Sequence, residues 1–286
     1  MKKATILSAV LCMIAFSVIA QKLPNVQEKS LRAPATIKVD GKPTEWNNQF
    51  QAYNKATEIF YNMSNDNNNL YLTVQATDLN FINKIICNGI SLTINGTGKM
   101  KDQGGMVITF PVLNDDAFPR GQRGEPRSRI PINLDKPDSW PADSFMVVLN
   151  KDLTSLAKDI QVTGIKEITS SLISIYNPYG IKAVALFDNK TIFTYELAIP
   201  LKYLGLSVQN PEPFVYNIKL PGINPPRGSS FEANAARMQR HAILEPMVLN
   251  SVNHQRDTFY WTGPTVERFY ALIALTDFWG EYTLAK

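Results

Sequence analysis

The 286 residues carry 29 Lys and Arg against 25 Asp and Glu, a formal charge of +4 that becomes +2 if Lys2 and Lys3 leave with a leader. So even a balance gives no electrostatic case for nucleic acid or an anionic membrane as partner. With two cysteines and 44% hydrophobic residues in a chain long enough to bury a large core, packing rather than disulfides must hold the fold together.

Lys2 and Lys3 open a positive start, Ala4 to Ala20 is almost wholly apolar, and Val18-Ile19-Ala20 offers a small residue for cleavage. No basic stop-transfer cluster follows, so residues 1–20 read as a cleaved signal peptide of bacterial character rather than a membrane anchor. The expected location is secreted, periplasmic or cell-surface, with no membrane contact after cleavage. Cleavage removes Cys12 and leaves Cys87, in Ile85-Ile86-Cys87-Asn88, expected as a buried small hydrophobe.

After a lead-in over 21–36, strand-like segments recur between Gly, Pro, Asn and Asp punctuation. They are Ala56–Met63, Leu70–Ala76, Ile90–Ile94, Met106–Pro111, Ser144–Leu149, Ile160–Ile165, Leu172–Tyr176, Ile181–Phe187, Thr191–Ile199, Phe214–Leu220, Phe269–Leu275 and Phe278–Leu284. Leu70-Tyr71-Leu72-Thr73-Val74-Gln75 alternates apolar and polar, the period of a half-buried strand. Asn95-Gly96 and Asp188-Asn189 read as hairpin turns. Two short helices are expected, Pro200–Gly205 and Phe231–Ala242. Many strands and little helix predict one all-β domain over 37–286, a jelly-roll-like antiparallel sandwich of two sheets. Two Pro- and Gly-rich stretches, 112–141 and 221–263, interrupt the rhythm and read as long loop insertions.

Ile37-Lys38-Val39-Asp40-Gly41 through Glu45-Trp46, then Asn65-Asp66 to Asn69-Leu70-Tyr71-Leu72, resemble the opening of family 9 carbohydrate-binding modules and related DOMON-like sandwiches. Tyr195-Glu196-Leu197-Ala198-Ile199-Pro200-Leu201 with Leu204-Gly205, and Phe278-Trp279-Gly280 near the end, are similar to that pattern's late strand and terminal strand. The resemblance implies an extracytoplasmic β-sandwich, often with structural calcium, that binds sugars through aromatic side chains.

Trp46 and Trp279 are expected in the core, Trp46 because a Trp at a turn can bury a large area. Trp140 and Trp261 lie in the insertions and are the candidate stacking platform, with Asn253, Gln255 and Arg256 beside Trp261 and further aromatic surface from Tyr176 and Tyr179. An exposed ring covers the apolar C–H face of a pyranose while amides and charged groups bond its hydroxyls. Asn65–Asn69 reads as a polar hairpin turn or, through Asp66, as a calcium site, with Asp40 and Glu45 as alternative ligands. Catalytic signatures are missing: there is no Gly-x-Ser-x-Gly, His-Glu-x-x-His or Walker loop. The expected function is a non-catalytic carbohydrate-binding module. Its alternatives are an interaction module without sugar affinity and a glycan-active hydrolase whose carboxylates come from distant strands.

Overall fold

A computed structural model describes residues 22–113, 142–223 and 273–286. In chain order the strands are β1 (Ala52–Asn54), β2 (Ile59–Asn65), β3 (Asn69–Ala76), β4 (Ile90–Asn95), β5 (Met106–Val112), β6 (Asp159–Thr163), β7 (Leu172–Ser174), β8 (Lys182–Phe187), β9 (Phe193–Pro200), β10 (Phe214–Leu220) and β11 (Thr276–Tyr282). The helices are α1 (Leu79–Asn88), α2 (Ala142–Leu156) and α3 (Leu201–Leu204). One sheet runs β1-β2-β3-β9-β8, the other β11-β10-β4-β5-β6-β7, and every strand pairing within them is antiparallel. The expected all-β sandwich is therefore the fold. Among the described residues no helix is long and apolar enough to cross a membrane.

The inner rows follow the alternation in the sequence. Leu70, Leu72, Val74 and Ala76 of β3 face Phe214, Tyr216, Ile218 and Leu220 of β10 across one continuous core. At its centre the Tyr61 and Tyr216 hydroxyls lie 2.9 Å apart, and Tyr61 also accepts from Gln27 N–H at 2.8 Å, which fixes the lead-in to the sandwich. Phe278 packs on Tyr61 at 5.2 Å. Gly280, two residues on in the same row, lies beneath the Tyr216 ring: a Cβ there would come within 2.4 Å of Cζ and 2.5 Å of the hydroxyl oxygen.

That parity corrects the placing of Trp279. With Phe278 and Gly280 turned inward, the indole points outward, half-buried and opposite Asn217, instead of joining the core. Trp46 does lie buried, closing the 3₁₀ turn Pro43–Trp46. Ser144–Leu149 is not a strand but part of α2, whose Met146, Leu149 and Leu153 recur at helical spacing and enter the core while Val147 and Val148 face out. Asn150 of α2 completes the free edge of β8, donating to Phe187 O and accepting from Phe187 N, both at 2.8 Å. Helix α1 is not among the elements expected from sequence; Asp78 caps it by accepting from Asn80 and Phe81 N–H, and Ile82, Ile85 and Ile86 bury its inner face. Cys87 is half-buried near its end. β11 begins at Thr276, so the described part of the expected strand Phe269–Leu275 is not strand; the expected helix Phe231–Ala242 lies outside the described residues.

A strap over residues 31–50 crosses the outer face of the first sheet, which explains why that face is buried too. Ala33, Ile37 and Val39 pack on Tyr71 and Ala198. Two outer-row side chains fasten it: Asn62 accepts from Gln51 N–H at 2.7 Å and donates to Gln49 O at 3.0 Å, while Glu196 Oε2 accepts from Asp40 and Gly41 N–H at 2.9 and 2.8 Å. Gly41 adopts φ +79°, and its side-chain position is filled by Leu186. Two of the sequence landmarks, the Asp-Gly turn and the Tyr-Glu strand, are thus the two halves of one contact.

Candidate functional site

At the end of the sandwich where β2 turns into β3 and β9 runs into α3, the surface holds a depression of about 370 Å³. Its lining includes Asn67, Asn68, Asn69, Tyr179, Lys202 and Gln209. A second depression, of about 320 Å³, lies between residues 26–30 and 281–283, carries Glu28 and Glu281, and presents no exposed aromatic ring.

The first depression is built from three short segments. Asp66 shapes the β2–β3 turn: Oδ1 accepts from Asn68 and Asn69 N–H, both at 2.7 Å, and Oδ2 from the Tyr71 hydroxyl at 2.7 Å. Burial alone would raise this carboxyl, but the hydrogen bonds from Tyr71, Asn68 and Asn69 outweigh it and hold the group below its usual range. Burial and the neighbouring Asp66 push the Tyr71 phenol up to about 12. The turn is joined to α3 where Leu201 N–H donates to Asn68 O at 2.7 Å. Pro200 opens α3 and Gly205 closes it at φ +64°, as the sequence pattern predicts.

Tyr179 comes from the β7–β8 connection. Asn177 organises that loop, accepting from Tyr179 and Ile181 N–H and donating to Ser174 O and Ile181 O. The half-buried Tyr179 ring is braced edge-on by Tyr203, with centroids 6.1 Å apart and planes at 79°. Lys202 lies exposed over the Tyr203 ring at 4.7 Å. Ser207 and Gln209 complete the rim.

Of the residues expected to bind ligand, Tyr179 therefore sits among amides. Trp140, Trp261, Asn253, Gln255 and Arg256 lie outside the described residues. Tyr176, 79% exposed beneath Lys158, is not part of the depression. Lys202, Ser207 and Gln209 were not identified from sequence: no motif marks them, and they meet Tyr179 only through the register of β8 and β9.

The two alternative calcium positions, Asp66 in the turn and Asp40 with Glu45 by the strap, lie in different places. Asp66 bonds the N–H of Asn69, which pairs with Pro200, whereas Asp40 N–H donates to Glu196, four positions back along β9 and so about 13 Å away at ~3.3 Å per residue. Asp40 Oδ1 accepts from Lys42 N–H, and Glu45 lies half-buried on the 3₁₀ turn. Among the described residues no three His, Cys, Asp or Glu side chains lie together as a metal site. Asp40, Glu45 and Glu196 are close enough to interact. Burial, opposed by the Gly41 and Asp40 N–H donors, pushes Glu196 up to about 7, the range of a general acid. Glu196 is only 2% exposed beneath the strap, however, and neither of the two depressions is lined by it.

Comparison with protein-family models, with curated proteins and with solved structures found no match.

Proposed function

We propose that this protein is a secreted, non-catalytic carbohydrate-binding sandwich that holds its ligand in the depression around Tyr179. The observation that carries this reading is the pairing of a half-buried, edge-braced aromatic ring with the amide side chains of Asn67, Asn68, Asn69 and Gln209. The ring supplies a flat apolar face for a pyranose and the amides supply donors and acceptors for its hydroxyls. The depression is shallow and open to solvent, a shape that suits a chain or chain end lying across it more than an enclosed small molecule. The apolar leader at residues 4–20 and the resemblance to family 9 modules point the same way.

The chain lacking residues 1–20 should be retained on gels containing at least one plant or bacterial polysaccharide. Tyr179→Ala should weaken that retention roughly tenfold, because stacking contributes about 1.5 kcal/mol. Its thermal unfolding temperature should fall only modestly, since the ring packs against the core from a half-buried position on a loop, and Tyr179→Phe should keep both retention and stability. No retention across the panel would overturn the reading and leave an interaction module without sugar affinity.

A further inference from the structure

The polar side chains around Tyr179 are not evenly divided between donors and acceptors. Arg32 donates from Nη2 to Asn67 Oδ1 and from Nη1 to Ala285 O at 3.2 Å, so its guanidinium is held at the turn. A guanidinium can only donate, so Asn67 must give Arg32 its oxygen and keep its amide N–H groups for a ligand. Gln209 is set the same way: Ser207 donates to its Oε1 at 2.6 Å while accepting from its backbone N–H at 3.3 Å, which leaves Nε2 uncommitted. Among the described residues Lys202 makes no ion pair and is the one charged side chain lining the depression. The turn's own carboxylate, Asp66, has its oxygens engaged by Asn68, Asn69 and Tyr71. Asn69 and Asn68 are the exceptions: Asn69 gives Nδ2 to the Tyr71 hydroxyl at 3.2 Å and keeps an oxygen for a hydroxyl donor, and the Asn68 side chain lines the depression as a whole amide.

We infer that the depression is selective for acidic saccharides, with the carboxylate of a uronic acid unit taken by Lys202, Asn67 and Gln209 while Tyr179 covers the ring face. The inference rests on the carbohydrate reading and specifies its ligand. Two amide N–H donors and one ammonium, all three able only to donate here, are better matched by a carboxylate, which offers about four lone-pair sites, than by a neutral sugar's hydroxyls. A sulfate or phosphate ester on a sugar would meet the same donors, so the test separates these sources.

The test is affinity electrophoresis of the chain lacking residues 1–20 in polygalacturonate, alginate and a glucuronate-containing polysaccharide. Each is run against its carboxyl-reduced form, with a sulfated galactan and a neutral galactan beside them. At least one uronate polymer should bind roughly tenfold more tightly than its carboxyl-reduced form and more tightly than the sulfated galactan, with the preference shrinking as salt rises. Lys202→Met should remove the preference and Lys202→Arg keep most of it. Asn67→Asp should abolish it, because it keeps the Arg32 contact while exchanging N–H for a negative oxygen. Equal binding of the acidic and reduced forms, or binding to neutral glycans alone, would overturn the acidic preference and leave the sugar reading standing. Stronger binding to the sulfated galactan would overturn the uronate assignment. No binding to any polymer would bring down both. Because Lys202 and Asn67 are exposed, unchanged thermal unfolding of each variant confirms that the readout is the site.

Discussion

Gly280→Ala should lower the free energy of unfolding by about 3 kcal/mol, the upper part of the range for forcing atoms into a packed core. The new Cβ would meet the Tyr216 ring at 2.4 Å, closer than any carbon contact can be. Tyr216 cannot swing aside without cost, because its ring is fully buried and its hydroxyl faces that of Tyr61. Burial has already pushed its ionisation far above the ordinary phenol range. Chemical denaturation, comparing midpoint and slope, would measure the loss. Tyr216→Phe should relieve part of it by removing the atom at 2.5 Å, giving a non-additive double mutant. A Gly280→Ala protein as stable as the parent would mean that β11 does not lie in the register described.

Removing the Glu196 side chain should cost a similar amount. In Glu196→Ala the Asp40 and Gly41 N–H groups lose their acceptor beneath the strap, about 2 to 3 kcal/mol for the part-buried and the buried bond together. Glu196→Gln retains an acceptor oxygen and should cost much less. The two variants also separate charge from geometry through pH. The folded-state value near 7 lies above that of the unfolded chain, about 4.3. Between those values the folded protein holds a proton that the unfolded chain has released. Stability should therefore be greatest below about pH 4.3 as far as this group is concerned, and fall as pH rises toward 7, by at most about 1.4 kcal/mol per unit. Glu196→Gln should remove that decline. A Glu196→Gln protein with the parent's pH profile would show that the carboxyl does not titrate as a buried group.

The strands were the readable part of the sequence because a buried face imposes its period directly. Phe214–Leu220 matches its strand at both ends, and Leu70–Ala76 misses one residue at the start. Phe145-Met146-Val147-Val148-Leu149 was unreadable for a physical reason: a short apolar run carries no period of its own. Only Leu153, beyond the run, shows that the buried positions recur every three or four residues. Trp279 faces outward because strand parity, not residue type, decides which side a side chain takes. Gly280 was the available signal, since a glycine in an inner row marks a neighbour filling the side chain's place. The capping aspartate at Asp78 ahead of Phe81, Ile82, Ile85 and Ile86 would have identified α1 by the same reasoning.

The site was legible only in fragments. Tyr179 and the Asn65–Asn69 turn each stood out, one as an aromatic and the other as a set of oxygen ligands. Their meeting depends on Asn69 pairing with Pro200 in β9, a contact between positions too far apart for any local pattern. Lys202 acquires its place from α3, whose Leu201 N–H is tied to the turn. The strap contact is different. Both of its halves belong to sequence landmarks, so the Asp40-Gly41 turn could have been assigned to Glu196 had the strand's outer face been expected to be covered.

The most direct test is amide hydrogen exchange of the chain lacking residues 1–20, with and without the polysaccharide that retains it most strongly. The proposed function predicts added protection at 66–69, 176–181 and 200–209 and none along the strap at 37–46. Protection confined to other segments, with these three unchanged, would contradict it.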